Sequence, residues 1–407
     1  MKIIVQKFGG TSVSSQDRRD MVTEKVSNAI KNGFMPVVVV SAMGISGDPY
    51  STDTLLSLID NNFKNDNLQA SDLLMSCGEI ISTVVMSNDL NKKAIKAVPL
   101  LGGQAGIITD DNFSNASVLR VESEKLQKIL NEGKVPVVAG FQGLNEQGYL
   151  TTLGRGGSDV TASLLGSALN AEKVEIYTDV DGIMTADPRV VKNASLIEEI
   201  SYSEVYQFAD QGAKVIHPRA VKIAAMANIP LVIKNTLNQS KGTLISNANN
   251  ELYENLIEGI TQMDNRIQIR FSASDNEGNE NYDNILDILA ENKISIDLIN
   301  VFPKESIFTI GRSDLAKFNE VIRFLNLKHT YEKDCSKISL IGNKIAGKPG
   351  VMAKIIKTLR NENIHVLQTA DSHETIWCLV KTDVANKAVN ALHDEFCINK
   401  HTKAVKS

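Results

Sequence analysis

Short apolar runs alternate with longer segments of helical periodicity over residues 1 to about 245. The runs, which contain one charged residue, Glu175, are Ile3–Val5, Met35–Val40, Val135–Ala139, Val174–Tyr177 and Leu231–Ile233. Runs of this kind indicate strands buried on both faces, as in a parallel sheet covered by helices. The segments with helical periodicity are Asp17–Asn32, Leu73–Leu90, Glu122–Asn131 and Ser158–Leu169. The pattern predicts an α/β sandwich with a largely parallel central sheet, in which Ser158 caps the last helix.

A polar, small-residue segment, Asn247–Glu251, is typical of a linker and is followed by a different pattern. From Ile267 onward the order strand, helix, strand, strand, helix, strand occurs twice, with an offset of about 70 residues. In the first copy, a helix with Ile285, Ile288 and Leu289 precedes the strand Ile294–Val301, and in the second a helix with Ile355, Ile356 and Leu359 precedes the strand Ile364–Leu367. A further helix closes each copy, with Phe318, Ile322 and Leu325 in the first and Ala388, Leu392 and Phe396 in the second. We predict two α+β, ferredoxin-like βαββαβ units; one α+β domain with accidental internal similarity is the alternative.

Composition narrows the class of protein. The 407 residues suit two or three domains, and 43 Lys plus Arg against 48 Asp plus Glu give a net charge of -5. Without a basic field, a nucleic-acid partner is not expected. The four cysteines show no CxxC spacing, so we expect neither a zinc site nor disulfides. The first residues lack a signal-peptide core, no apolar run approaches about 18 residues, and a cytoplasmic protein without a membrane segment is predicted.

Glycines follow the first predicted strand directly. Lys7 precedes the pair Gly9 and Gly10, and a predicted helix that begins near Gln16 is expected to direct its positive end at this pair. Glycines let backbone amides approach a phosphate, and a lysine adds a full charge. The segment fits a phosphate site, although a tight turn would use the same residues. The chain contains no GxxxxGK[ST] motif, which excludes a P-loop fold.

Two further clusters follow apolar runs. Arg155 lies between glycines, before Ser158 and Asp159, and its planar fork fits a carboxylate; a solvated arginine beside a capped helix is the alternative. Thr178 and Asp179 end a strand, and Arg189 follows an Asp-Pro turn, which fits one wall of a nucleotide site or simply two good turns. Other polar candidates stand at predicted strand ends or helix starts: Ser41, Thr52, Asp53, Glu79 and Lys214, with His217 read as structural.

Taken together and in order, seven motifs resemble the aspartate kinases of the amino-acid kinase superfamily. They are VQKFGGTSV, VVVVSAMG, SCGE, VVAGFQG, TTLGRGGSD, YTDVDGIMTADPR and GAKVIHPRA, within residues 1 to about 240. The two following repeats resemble the paired regulatory ACT domains of that family, in which the first unit is commonly inserted into the second. The resemblance implies a catalytic domain over residues 1–245, a linker and first ACT domain over 246–334, and a second ACT domain over 335–407.

The resemblance also implies roles for single residues. Lys7, Asp159 and Lys214 would be catalytic, and no residue would be a direct metal ligand. Aspartate would be bound by Ser41, Thr52, Glu79, Phe141, Arg155 and Ser158, with Arg155 on its α-carboxylate and Glu79 on its ammonium. ATP would be bound by Lys7, Gly9, Gly10, Thr178, Asp179, Arg189 and Lys214, together with Mg²⁺. Met184 departs from the aromatic residue that many relatives have near the nucleotide.

The implied reaction is the phosphorylation of L-aspartate by ATP to 4-phospho-L-aspartate, which opens lysine, threonine and methionine synthesis. A carboxylate nucleophile is ionised at pH 7 and needs no general base. The segments Gly47–Tyr50 and Leu367–Trp377 are similar to the diaminopimelate-sensitive bacterial type. We therefore expect meso-diaminopimelate as effector, with lysine or threonine as fallback, and a homodimer through the ACT domains. The alternatives are a sister kinase for glutamate, acetylglutamate, carbamate or UMP, and a catalytically silent amino-acid sensor.

Overall fold

The structure, a computed structural model, describes residues 2–213, 215–247, 256–342, 345 and 348–396. Its strands are β1 (Ile3–Phe8), β2 (Met35–Val40), β3 (Ala97–Leu100), β4 (Ile107–Thr109), β5 (Val118–Val121), β6 (Val135–Ala139), β7 (Gln142–Asn145), β8 (Leu150–Thr152), β9 (Lys173–Thr178), β10 (Glu199–Ser201), β11 (Leu231–Asn235), β12 (Thr243–Ser246), β13 (Gly259–Ser272), β14 (Ile296–Phe302), β15 (Glu305–Gly311), β16 (Thr330–Ile341), β17 (Gln368–Asp371) and β18 (Thr375–Lys381).

The helices are α1 (Gly10–Val13), α2 (Gln16–Lys31), α3 (Thr52–Leu56), α4 (Asn61–Asp66), α5 (Leu68–Lys92), α6 (Glu124–Asn131), α7 (Gly157–Ala168), α8 (Tyr202–Asp210), α9 (Pro218–Ala227), α10 (Glu280–Asp283), α11 (Ile285–Glu291), α12 (Leu315–Leu325), α13 (Val351–Asn361) and α14 (Thr382–Glu395). Short 3-10 turns lie at Gly103–Ala105 and Arg312–Asp314. The described residues form two compact units. The first contains the described residues within Met1–Ile183, Leu196–Ala209 and Lys214–Asn250, and the second contains those within Met184–Ser195, Asp210–Ala213 and Glu251–Ser407.

The first unit is built on an eight-stranded sheet of order β10-β12-β11-β9-β1-β2-β6-β3. Its central pairs, from β11 to β3, are all parallel, and β12 pairs with β11 in the antiparallel sense. Val37 to Val40 in β2 are fully buried, so both faces of the sheet are covered. The α/β prediction is confirmed, and a separate four-stranded sheet, β5-β4-β7-β8, completes the unit.

Helix α5 is long and apolar enough, by length and composition, to cross a membrane. The sequence pattern indicated no such segment. Within the first unit, however, 56% of its most apolar stretch is buried, and the helix carries the buried acids Asp72, Glu79 and Asp89. Three buried acids would be costly against lipid, so we assign α5 to the interior of the first unit.

The expected cap of α7 is wrong. Gly156, not Ser158, precedes the helix, with φ +68° and no capping side chain, while Ser158 lies buried inside the first turn. A Cβ atom at Gly156 would lie 2.3 Å from the ring of His217. Only glycine fits both the left-handed backbone and this close approach, so the helix is preceded by Gly156, two residues earlier than the Ser-Asp pattern indicated.

The second unit is built on a six-stranded sheet of order β14-β15-β13-β16-β18-β17. The long strands β13 and β16 lie at its centre, between β14-β15 in the first half of the sheet and β18-β17 in the second half. The register of the β13–β16 pair shifts between Met263 and Gln268. One apolar core under the first half contains Phe271, Phe308 and Phe318. Another, under the second half, also takes Ala186 and Val191 from the Met184–Ser195 segment.

The repeat is present as β13-α11-β14-β15-α12-β16 and then β16-α13-β17-β18-α14, with the four-residue helix α10 before α11. Gly259–Met263 of β13 pairs with the second half of β16. The strand predicted at Ile364–Leu367 is wrong: β17 begins at Gln368, because the Ile364 amide first bonds the Leu359 carbonyl and ends α13. The last predicted strand and most of the Asn247–Glu251 linker lie outside the described residues. The proposed division at 334/335 falls within β16 and stays a prediction.

Candidate active site

Four parallel strands of the first unit end side by side. Phe8 is in register with Val40 and Tyr177, and Val40 with Ala139. Backbone bonds continue past these ends, from the Gly9 amide to the Tyr177 carbonyl (3.2 Å), from Ser41 to Phe8 (3.1 Å) and from Gly140 to Val40 (2.9 Å). The segments after β1, β2, β6 and β9 therefore meet at one edge. This is the edge at which open α/β sheets bind their ligands.

Lys7, in β1, forms an ion pair with Asp159 in the first turn of α7. The Lys7 Nζ and Asp159 Oδ1 atoms are 2.7 Å apart, and each side chain is 12% exposed. A Cβ atom at Gly9 would lie 3.7 Å from Lys7 Nζ, so the glycine leaves the ammonium group accessible from that side. An ammonium has three donors, and a single carboxylate contact leaves capacity for an anion. The predicted neighbours Lys7 and Asp159 are thus brought together.

Gly10 allows the segments after β1 and β2 to approach closely. A Cβ atom there would lie 2.6 Å from the carbonyl oxygens of both Ala42 and Gly44. The Gly44 amide also donates to the Gly10 carbonyl at 3.0 Å. The helix that begins at this point is the four-residue α1, so the expectation that the helix starting at Gln16 would face the glycine pair is corrected.

Glu79 lies on α5 and is 3% exposed. Its Oε1 atom accepts the Ala42 amide at 3.0 Å, whereas Oε2 has no hydrogen-bond partner among the residues that the structure describes. Burial raises the pKa of Glu79 to about 8, although the bonds to backbone amides act in the opposite direction. A buried carboxylate oxygen without a partner fits a cationic ligand such as an ammonium group.

Arg155 lies at the tip of the Arg155 turn, which we define as residues 153–157. The side chain is exposed, and no hydrogen bond or ion pair joins it to any described residue. The turn itself is held firmly: the Leu153 amide donates to the Phe141 carbonyl at 2.8 Å, and Arg219 donates to the Leu153 carbonyl at 2.7 Å. A fixed backbone thus presents an unpaired guanidinium group, as a carboxylate site requires.

Of the remaining residues predicted for aspartate, Ser41, Phe141 and Ser158 lie at these strand ends. Phe141 has a left-handed backbone (φ +70°), and its amide donates to Thr161 Oγ1 at 3.1 Å. Ser158 is buried, and a Cβ atom at Gly140 would lie 2.7 Å from its Oγ. Ser41 follows β2 and is half-buried. Thr52 is the first residue of α3 and is also half-buried.

Of the residues predicted for the nucleotide, those in the described part of the first unit lie at this edge. Thr178 ends β9, its hydroxyl donates to the Asp179 carboxylate at 3.1 Å, and Asp179 is exposed. Arg189 belongs to the second unit, where its exposed side chain pairs with Asp187 at 2.6 Å. Lys214 lies outside the described residues, so its role stays a prediction.

Sequence reasoning missed the residues that support the Arg155 turn. His217 caps α9, its Nδ1 accepting the Arg219 amide at 3.3 Å, and it packs on Gly156. Burial and the Arg219 charge lower the pKa of His217, while Asp159 acts in the opposite direction. Both residues lie in the GAKVIHPRA motif, so their sequence was noticed although their contact with a turn some 60 residues earlier was not.

The described residues contain no group of three or more His, Cys, Asp and Glu side chains that could hold a metal ion. The site instead offers Lys7 and closely approaching backbone at Gly10, which suit phosphate oxygens. This donor set fits a nucleotide whose own oxygens bind Mg²⁺.

Comparisons with known proteins show which family the chain belongs to. The model of the amino acid kinase family matches residues 2–235, and an ACT domain model matches residues 330–394. Aspartokinase 1 of Bacillus subtilis is 42% identical over 405 residues, which cover 98% of this chain and 100% of that protein. The crystal structure of E. coli aspartokinase III with aspartate and ADP, called R-state, has 27% identity and a TM-score of 0.79, covering 97% of this chain and 99% of that one. The structure of the same E. coli enzyme with lysine and aspartate, called T-state, is 27% identical to this chain, with a TM-score of 0.76 and the same coverage.

The fold, the site and the match to more than half of the chain define a member of the amino acid kinase family, and within it the chain belongs to the aspartokinases. It is therefore an enzyme that phosphorylates aspartate with ATP and carries a C-terminal ACT domain. The family and the activity predicted from the sequence motifs are confirmed.

Proposed function

We propose that the edge formed by β1, β2, β6 and β9 transfers the γ-phosphoryl group of ATP to the side-chain carboxylate of L-aspartate, giving 4-phospho-L-aspartate. The observation that carries the proposal is the set of two positively charged groups and one acidic group at this edge. They are the Lys7 ammonium, the unpartnered Glu79 carboxylate oxygen and the free Arg155 guanidinium. Each matches one charged part of the two substrates.

Aspartate is held by its backbone groups and reacts through its side chain. Arg155 binds the α-carboxylate through two parallel hydrogen bonds, and Glu79 binds the α-ammonium. Ser41, Thr52, Phe141 and Ser158 complete the pocket. The 4-carboxylate is then the only substrate carboxylate left free, which explains why the phosphoryl group is transferred there.

Phosphoryl transfer needs alignment and charge neutralisation more than proton transfer. The attacking carboxylate is ionised at pH 7, so no general base is required. Lys7 neutralises charge on the transferring group, and Asp159 fixes the Lys7 ammonium in position. Lys214 is proposed as the second lysine. Mg²⁺ bound to ATP supplies further neutralisation of the phosphate charge.

The nucleotide lies beside Gly9, Gly10, Thr178 and Asp179. The family resemblance alone supports Arg189 as a further phosphate ligand. E. coli aspartokinase III has been solved with ADP and aspartate together, which supports a pocket for both substrates. The product enters lysine, threonine and methionine synthesis. We place the enzyme in the cytoplasm, which agrees with the assignment of α5 to the protein interior.

The proposed function is tested by ADP release with single phosphoryl acceptors. With aspartate the enzyme should release ADP at a rate well above the ATP-only control. Glutamate, acetylglutamate, carbamate and UMP should leave the rate at that control. ADP release with one of these instead would indicate a sister kinase, and no release with any of them would indicate a silent sensor.

The pKa of Glu79 leads to a pH prediction. Only the ionised carboxylate binds an ammonium group, and the free enzyme holds the pKa near 8. The kcat/KM for aspartate should therefore rise about tenfold per pH unit up to about pH 8, and then level off. Glu79→Gln, measured over the same range, should show a lower kcat/KM without this rise. An unchanged rise in Glu79→Gln would assign it to another group.

Regulation is proposed for the second unit. E. coli aspartokinase III has been solved with lysine in the state called T, so a relative with the same overall fold binds an amino-acid effector. We propose meso-diaminopimelate as the effector here, with lysine or threonine as fallback, and a homodimer formed through the ACT domains. The effector inhibits by binding the inactive arrangement more tightly than the active one.

Calorimetric titration tests this regulation. Diaminopimelate should bind the enzyme, and saturating aspartate plus a non-hydrolysable ATP analogue should weaken that binding about 5- to 150-fold, because linkage between sites is reciprocal. Lysine and threonine serve as parallel titrants. If none of the three binds at millimolar concentration, the ACT domains have a role other than feedback by these amino acids.

A further inference from the structure

Asp72 is a buried carboxylate in α5 that the catalytic scheme does not use. Its side chain is 0% exposed and accepts bonds from two residues. Ser114 donates its amide to Oδ1 and Oδ2 (3.0 and 2.9 Å) and its hydroxyl to Oδ1 (3.1 Å). Thr152 donates its amide to Oδ2 and its hydroxyl to Oδ1, both at 2.8 Å. No lysine, arginine or histidine among the described residues pairs with it, so these neutral donors alone hold the charge.

Both donor residues adjoin the Arg155 turn. Thr152 is the last residue of β8 and directly precedes the turn. Ser114 has a left-handed backbone (φ +67°), and the next residue, Asn115, touches the turn: a Cβ atom at Gly154 would lie 2.7 Å from Asn115 Oδ1. The Asp72 carboxylate therefore ties together two segments that fix where the turn begins.

Helix α5 also carries Glu79, seven residues after Asp72. Two helical turns separate the two residues, so they lie on nearly the same side of the helix, about 10 Å apart along its axis. One rigid helix thus bonds the start of the Arg155 turn through Asp72 and presents the Glu79 carboxylate. The Arg155 side chain has no described partner of its own, so its position depends on the backbone of the turn.

We propose that Asp72 is a positioning residue for aspartate binding, which sets the Arg155 guanidinium at the correct distance from the Glu79 carboxylate. The inference rests on the proposed roles of Arg155 and Glu79 and extends them to a residue that touches neither substrate. A buried carboxylate with four donors specifies one backbone arrangement, since moving the turn would leave a buried charge without its bonds.

The test is a double-mutant cycle of Asp72→Asn and Arg155→Lys in the full-length enzyme. Asparagine has the size of aspartate but offers one acceptor oxygen, so it cannot accept all of these bonds. Asp72→Asn alone should raise the KM for aspartate about tenfold and leave the KM for ATP within about twofold, because a misplaced turn affects one substrate. In the Arg155→Lys background the same change should have little further effect, because Asp72 acts through Arg155.

Two further variants separate positioning from general stability. Asp89→Asn removes another buried acid of α5, which pairs with Arg19 and Lys92, and should lower the melting temperature while leaving the KM for aspartate unchanged. Thr152→Val removes one donor and should shift the KM for aspartate in the direction of Asp72→Asn, whereas Thr152→Ser keeps the hydroxyl and should restore it. The Thr152 pair tests the inference even if Asp72→Asn does not fold.

The possible failures are distinguishable. If Arg155→Lys raises the KM for aspartate but Asp72→Asn and Thr152→Val do not, the positioning role is wrong and the proposed site stands. The positioning role is also overturned if the Asp72 and Arg155 effects on KM multiply independently. If Arg155→Lys itself leaves the KM for aspartate unchanged, the proposed carboxylate site is wrong, and the inference that rests on it falls too.

Discussion

Lys7→Ala should lower kcat about 10²- to 10³-fold, with much smaller changes in either KM. The reason is that the Lys7 charge is worth most when negative charge develops on the transferring phosphoryl group, and removing one such donor typically costs this much. Steady-state kinetics with ATP and aspartate, each varied at saturation of the other, measures both constants. A folded Lys7→Ala enzyme with near-normal kcat would show that Lys7 only forms a structural ion pair.

The ion pair with Asp159 requires its own control. Lys7→Ala leaves the Asp159 carboxylate without its partner in a site where both side chains are 12% exposed, so the melting temperature should fall. Lys7→Ala combined with Asp159→Asn removes this unpaired charge and should recover stability without recovering kcat. Lys2 precedes β1 and forms an exposed ion pair with Glu172. Lys2→Ala should therefore change neither the melting temperature nor kcat.

Arg155→Lys should raise the KM for aspartate about 10- to 100-fold and hardly affect the KM for ATP. A lysine keeps the charge but cannot make the two parallel bonds of a guanidinium group to a carboxylate, and hydrogen bonds to charged groups are worth about 1.5–3 kcal/mol. The two KM values, compared within one preparation, measure the effect. Equal losses for aspartate and ATP would place Arg155 on the phosphates.

Arg120→Lys is the matched control for this substitution. Arg120 is half-exposed and pairs with Glu122 and Glu146 at the surface. Such exposed pairs contribute little, so its conversion to lysine should leave both KM values unchanged. The contrast isolates the fork geometry at Arg155 from a general effect of replacing arginine.

Strand positions in the first unit could be predicted from local pattern. β2 and β6 have the predicted bounds, because each is apolar at every position and ends where a small or polar residue follows, Ser41 and Gly140. Ile364–Leu367 shows where the same reasoning fails. Its buried residue, Ile364, is buried for another reason: Ile364 joins the core as the chain leaves α13, and strand β17 begins only at Gln368.

The candidate site was predicted from motifs more than from spacing. Lys7 and Asp159 lie far apart in sequence, and only the resemblance to a family indicated that they meet. Neither motifs nor spacing predicted which residues hold the Arg155 turn in place. The bonds that Asp72 accepts from Ser114 and Thr152, and the packing of His217 on Gly156, join residues with no periodic relation. Tertiary contacts of this kind have no local signal in a single sequence.

The measurement that tests the central claim most directly identifies the carboxyl group that is phosphorylated. An acyl phosphate reacts with hydroxylamine to a hydroxamate, which records the position of the phosphoryl group. With ATP, aspartate and hydroxylamine, the enzyme should yield the 4-hydroxamate, because Arg155 holds the α-carboxylate away from the γ-phosphoryl group. The 1-hydroxamate, or ADP release without any hydroxamate, would contradict the proposed arrangement of substrate and site.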